Sequence, residues 1–304
     1  MNRKNLYLGG VLIVLITLAY LYQGPYKEWR AESGKPRNIF ANIDLDAADR
    51  IVITRSNAST TLERSGDKWR VSGERLFFVN DAVFNEVKEK IKDAKEAELA
   101  LASANKDKKA DFQVDSKGTA VAFFSADKKM SEVVIGKMGG DFTSTFVSTP
   151  EDDKTYSINL SLFGVFDREE WRDTTIFMAD REKISKVRFQ YPNRNFTIEK
   201  KDGKWQGTAP AKFDAKEEEV EKALDIMSSL TAAAIPAQDF KGTDLEKNLM
   251  IVHAQGEGVD HILMIGKNNG KGQFYAKRGD SDNIYLITKE QRDALDKKIE
   301  TMKK

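Results

Sequence analysis

Cysteine is absent from the 304 residues. That excludes disulfides, thiolate metal sites and a cysteine nucleophile, and it fits an oxidising or a reducing compartment equally well. An excess of one charge is missing too. Lys plus Arg number 49 against 48 Asp plus Glu, so no long-range field gathers nucleic acid and a nucleic-acid partner is not expected. Histidine is scarce, with only His253 and His261. No Gly-x-Ser-x-Gly elbow occurs, and a Ser-His-Asp system would have to recruit one of those two histidines.

What is present begins with an uncharged run from Leu6 to Tyr22. At about 1.5 Å per residue it reaches roughly 25 Å, the short end of a membrane span. Arg3 and Lys4 precede it, so the positive-inside bias places the start in the cytoplasm and the bulk outside. Tyr20, Tyr22, Tyr26 and Trp29 suit an interfacial belt. A cleaved signal peptide is the alternative, but no A-x-A box follows the run. The expected location is the bacterial cytoplasmic membrane, single-pass, with the C-terminal bulk periplasmic.

The chain is also written twice. Asp49 to Trp69 and Ile184 to Trp205 share a first strand (Ile51, Ile53; Val187, Phe189), a polar turn, a second strand (Thr61, Glu63; Thr197, Glu199) and a close on Gly and Lys-Trp. Gly66-Asp67 marks a hairpin between strands over Thr60 to Arg64 and Lys68 to Val71. Helical spacing follows in each copy. Val83, Phe84, Val87 and Ile91 follow a start at Asn80-Asp81; Val220, Leu224, Met227 and Leu230 follow a cap at Asp214. Each copy then closes on four strands, at Thr119 to Phe124, Glu132 to Ile135, Phe142 to Ser148 and Thr155 to Ile158 in the first. The second has Leu249 to Ala254, His261 to Ile265, Gln273 to Lys277 and Ile284 to Ile287. Gly136 and Gly266 stand 130 positions apart, Tyr156 and Tyr285 129, Trp69 and Trp205 136. So small a drift indicates duplication.

The expected class is α+β: an N-terminal transmembrane helix, then two tandem repeats, each a mainly antiparallel sheet with one packed amphipathic helix. The expected division is 1-22 cytoplasmic start and anchor, 23-42 juxtamembrane linker, 43-159 first repeat, 160-179 inter-repeat linker helix, and 180-304 second repeat with a C-terminal helix over Thr288 to Met302.

This order of parts resembles the membrane-anchored bacterial DUF4340 family, a domain of unknown function. The likeness runs from about Ile43 to Leu295 and includes the junction from Phe166 to Asp173. It implies a cell-envelope protein without established catalysis, considered alongside gliding-type ABC transporter components, and it carries over no catalytic residue.

Individual motifs add little chemistry. A turn centred on Glu257 sets His253 across from His261, and two imidazoles are too few for zinc without carboxylates. Gly266 to Gly272 lacks both the spacing and the following helix of a phosphate loop and reads as a hairpin turn. Asp152-Asp153 and Glu217-Glu218-Glu219 read as a solvated loop and a solvated helix face. Trp69 and Trp205 read as core rings before platforms for sugar or peptide. The expectation is therefore no catalytic residue, no metal and no cofactor. The expected role is a non-catalytic envelope interaction or accessory module, partnered by the membrane and by a membrane protein such as an ABC transporter permease. Two rivals remain: an envelope hydrolase or glycan-active enzyme using carboxylates in the inter-repeat groove, and a periplasmic ligand-binding subunit.

Overall fold

The structure is a computed structural model that describes residues 14, 15, 17, 36–56, 58–73, 75–247 and 249–304. Nineteen strands are described. In the first half they are β1 (Arg50–Arg55), β2 (Ala58–Ser65), β3 (Lys68–Val71), β4 (Phe77–Phe78), β5 (Leu99–Ser103), β6 (Thr119–Ser125), β7 (Lys128–Met138), β8 (Thr145–Ser148) and β9 (Thr155–Ile158). Then come β10 (Thr175–Met178), β11 (Ile184–Tyr191), β12 (Arg194–Lys201), β13 (Lys204–Ala209), β14 (Phe213–Asp214), β15 (Ser229–Thr231), β16 (Met250–Gly256), β17 (Val259–Asn268), β18 (Phe274–Arg278) and β19 (Tyr285–Ile287). Four helices are α1 (Asp81–Glu96), α2 (Glu217–Ser228), α3 (Lys289–Leu295) and α4 (Ile299–Met302).

One sheet runs β4-β3-β2-β1-β6-β7-β8-β9-β5 and another β14-β13-β12-β11-β16-β17-β18-β19. Strand for strand the order is the same, with β5 added to the first. Chain contacts divide the protein into a unit of Met1–Leu62 with Ala82–Glu169 and a unit of Glu63–Asp81 with Glu170–Lys304.

The expected fold class needs correction. Strand accounts for 42% against 20% helix, so antiparallel sheet dominates, and an N-terminal transmembrane helix is not supported. Among the described residues no helix is long and apolar enough to cross a membrane. The longest described helix, α1, has 16 residues and a single apolar face of Phe84, Val87, Ile91 and Ala94. The run from Leu6 to Tyr22 that prompted the expectation lies, but for three residues, outside the described ones, as does most of the 23-42 linker.

Within each unit the strands behave as their alternation dictates. In the first, Ile51 and Ile53 on β1 are buried while their neighbours are not. In the second, Val187, Phe189 and Tyr191 on β11 face a core that includes Phe196, Ile198, Val220, Leu224 and Met227, with Phe189 and Phe196 stacked at 4.8 Å. Trp69 is buried, and Trp205 is half-buried against the second unit's core. Trp69→Ala is therefore expected to cost about 3–5 kcal/mol and Trp205→Ala clearly less. Urea unfolding of the two variants would reverse that reading if Trp205 were the costlier.

Three local expectations fail for physical reasons. Leu160 to Trp171 is a run of turns, not a linker helix. Gly164 takes φ +85 there, and the buried Thr145 hydroxyl donates to Leu160 O (2.7 Å) and accepts from Leu162 N (3.0 Å) in place of a helical ladder. Asp214 does not cap α2: it lies on β14, the N-cap is Lys216, and Glu217, Glu218 and Glu219 instead meet the positive end of the helix. Thr288 to Met302 is not one helix. Thr288 caps α3 in a capping box, but the chain breaks at 296–298. There the Tyr191 hydroxyl donates to Leu295 O (2.6 Å) and accepts from Lys297 N (2.8 Å), taking the groups a continuous helix would use.

Within the break, Lys297 is buried and its Nζ donates to Glu219 Oε2 at 2.6 Å; Lys222 holds the other oxygen at 2.7 Å. Hydrogen bonds from Lys222 and then Lys297 bring the Glu219 carboxyl down to about 2. A depressed folded-state value makes its contribution complete above the ordinary 4.5 and lost as pH falls towards 2. Glu219→Gln should thus melt below wild type at pH 7, with the gap closing near pH 2. A gap that stayed constant across that range would contradict the assignment.

Candidate binding cleft

At one end of the first sheet, the last residue of β1, the first of β6 and the middle of β7 lie side by side. The register Thr54↔Ala120 and Thr119↔Ile135 sets Arg55, Thr119 and Ile135 in one row. Above this row is a cleft of about 610 Å³, whose lining includes Arg55, Gln113, Lys117, Ile135, Leu162, Phe163, Asp167 and Glu169. That volume is within the usual range of ligand and peptide sites.

Each side of the cleft is positioned by a local rule. Asn105 caps the 3-10 turn Lys106–Phe112 by accepting from Asp107 N, and the turn ends on Gln113 in the left-handed region at φ 55. Gly118 brings β6 beneath that corner: a Cβ there would stand 2.3 Å from Gln113 O. The 160–169 turns contribute Leu162 as a buried floor and Phe163 as an exposed rim, with 48% of its surface open. Arg55 Nη1 donates to Asp167 Oδ1 at 3.3 Å across the mouth. Two cationic and two anionic side chains thus flank an apolar floor.

The second repeat treats the corresponding place differently. The alternation that pairs Ile51 with Val187 and Ile53 with Phe189 pairs Arg55 with Tyr191. Tyr191 is buried, its hydroxyl is bound on both sides by the 295–297 turn, and the Arg194 guanidinium lies 3.8 Å over its ring. Burial pushes that hydroxyl up to about 12, so it remains a donor at neutral pH. Arg194 also pairs with Asp296. A buried tyrosine stands in one copy where the other has an arginine that lines the cleft.

The two histidines do not meet. The hairpin turn is the residue pair Glu257-Gly258, so His253 pairs with Ile262 and His261 with Ala254. That is one residue off a Glu257-centred register and sends the rings to opposite faces. His253 Nε2 hydrogen-bonds Asp260, while His261 stacks on Phe177 at 4.3 Å with Nδ1 on Met227 O. Among the described residues no group of three His, Cys, Asp or Glu side chains could hold a metal. Gly266 to Asn268 end β17, and the residues up to Gly272 turn the chain into β18 as a hairpin. Asn268 Oδ1 accepts from Gly270 N and Asn269 Oδ1 from Lys271 N, so the loop binds itself. Asp152 bonds the Tyr156 hydroxyl at 2.6 Å and Asp153 faces Lys106. The sequence singles out Gly136 for its spacing and Asp167 and Glu169 within the junction, none of them as a site; the one available signal is arginine in the first copy where the second has tyrosine.

The family model described as Domain of unknown function (DUF4340) matches residues 69–239 and again 205–304. Each match opens on one of the paired tryptophans, Trp69 or Trp205, as a duplicated module requires. No curated protein matches the chain, and no solved structure does. With most of its length matched, the chain belongs to the DUF4340 family.

Proposed function

We propose that this chain is a non-catalytic interaction module of the bacterial cell envelope, and that the first-unit cleft is where a partner polypeptide docks. The observation that carries the reading is the divergence of the two copies: Tyr191 fills the second repeat, and the matching place beside Arg55 stays open. A fold built for stability alone would fill both. The exposed Phe163 beside the Arg55–Asp167 pair supplies the pattern of an aromatic anchor with a charged rim. A membrane protein, such as the permease of an ABC-type transporter, is the proposed partner.

The test is affinity capture of the tagged full-length chain from detergent-solubilised membranes, wild type beside Phe163→Ser and Asp167→Lys. Recovery of one membrane protein with wild type, reduced by about tenfold or more in both variants, is the expected result. Equal recovery in all three would overturn the docking assignment. Turnover of an ester, glycan or peptide by the purified chain would overturn the non-catalytic one.

A further inference from the structure

The strand that follows the helix is treated unequally in the two copies. In the second unit it lies between two partners. β15 pairs antiparallel with β10, and Ala232 N donates to Thr174 O at 2.8 Å. The next residue turns the other way: Ala233 N donates to Leu286 O, and Leu286 N donates back to Ala234 O, both at 2.8 Å. Arg172 Nη2 reaches Ile235 O at 3.3 Å, and Pro236 follows. The outer edge of this strand is thus covered by residues 172–178 and stopped by a proline.

In the first unit β5 follows α1 and pairs with β9, Ala100 opposite Ser157 and Leu101 opposite Tyr156. Tyr156 and Tyr285 correspond between the copies, so β5 stands on β9 as residues 233–235 stand on β19. Among the described residues its outer edge has no such cover. β5 is the terminal strand of its sheet, and among the described residues no strand pairs beyond it. Asn38 Nδ2 binds the carbonyls of Ala94, Lys95 and Ala97 and stops short of the strand. The sequence is Leu-Ala-Leu-Ala-Ser, with neither a lysine nor a proline to guard it. Ala100, Leu101 and Ala102 are exposed, Leu101 to 54%. An unguarded apolar edge invites strand addition.

We propose that β5 accepts an added strand from a partner polypeptide: an extended, uncharged, β-branched and apolar segment running antiparallel, of the kind that Thr174–Met178 presents to β15. Main-chain hydrogen bonds supply the affinity, and alternate side chains packing on Leu101 supply the choice. A second copy fits less well, because β5 has one large exposed side chain to offer, Leu101, where Thr174–Met178 carries three large apolar ones, Ile176, Phe177 and Met178. The edge shares no residue with the lining of the cleft, so failure of this proposal leaves the cleft reading in place.

The probe is a fluorescent peptide with the sequence of residues 172–178, titrated into the full-length chain and followed by anisotropy. Leu101→Lys puts a charge on the edge. Ala102→Pro lies at the bulge between Leu101 and Ser103, where the residue has no register partner on β9. Saturable binding to wild type, weakened at least about tenfold in both variants with their melting unchanged, is the expected result. No saturable binding to wild type, or equal binding in both variants, would overturn the proposal. So would sedimentation showing a dimer that Leu101→Lys dissolves, which would give the edge to a second copy.

Discussion

Gly136→Ala and Gly266→Ala should each destabilise the protein by about 3 kcal/mol, at the upper end of the usual cost of overpacking. These glycines belong to the repeated Ile-Gly-Lys motif, and the structure gives the reason for it. In each sheet the glycine sits at a bulge, between Ile135 and Met138 against β8 and between Ile265 and Asn268 against β18. A preceding loop crosses the strand there. A Cβ at Gly136 would stand 2.3 Å from Phe112 O and 2.7 Å from a Val114 methyl; at Gly266 it would stand 2.2 Å from Thr243 O. Both nearest obstacles are backbone carbonyls, which cannot rotate away as a side chain can. Thr243 O also accepts from Lys267 N at 2.9 Å, so moving it breaks a hydrogen bond. Gly140→Ala is the control, because no atom lies within 4 Å of a Cβ built there. Midpoints from urea unfolding should drop in the two motif variants and hold in the control. If Gly136→Ala and Gly266→Ala also matched wild type, close approach would not be what the motif serves.

Removing residues 296–304 should cost the second unit about 4 kcal/mol or more, since losing a buried methionine alone costs about 2–5 kcal/mol. The segment is short and charged, yet it closes that unit. Met302 is fully buried, Lys216 N donates to Met302 O at 2.7 Å, and Lys304 N donates to Asp214 O at 3.0 Å, extending the edge at β14. Truncation also removes Lys297 from Glu219 and takes the backbone N–H that the Tyr191 hydroxyl accepts. Met302→Ala and Tyr191→Phe separate the contributions. The first removes apolar packing; the second leaves the Lys297 N–H and the Leu295 carbonyl only the 3.0 Å bond that they make with each other, a loss of about 1 kcal/mol for the hydroxyl's hydrogen bonds. Hydrogen exchange along β11 and β14 reads the effect locally. Unchanged protection in the truncated chain would show the segment to be a passive tail.

The sequence was most informative where side-chain period and turn chemistry act over a few residues. Alternation placed β1, β6, β11 and β16 to within a residue or two. Gly66-Asp67 placed the β2–β3 hairpin, and three of the four expected apolar positions, Phe84, Val87 and Ile91, lie on the buried face of α1. What escaped depended on partners distant in the chain. β5 is five residues of small apolar side chains with no polar alternation, and β10 is a strand only because β15 lies beside it. The histidine register depended on one residue of turn length. The cleft arises from the ends of β1 and β6, the middle of β7 and two loops, and the only motif among them, Ile-Gly-Lys on β7, is shared with the second copy and so does not mark the site. Duplication was legible in the spacing of Gly, Tyr and Trp, but the functional signal was its breakdown at Arg55 and Tyr191.

The docking role of the cleft is tested most directly by placing a photoreactive phenylalanine analogue at Phe163 and irradiating intact cells that make the full-length chain. A single discrete adduct with a membrane protein, lost when Arg55→Glu is added, is the predicted result. An absence of adduct, or one indifferent to Arg55→Glu, would contradict the assignment of this cleft as the contact site.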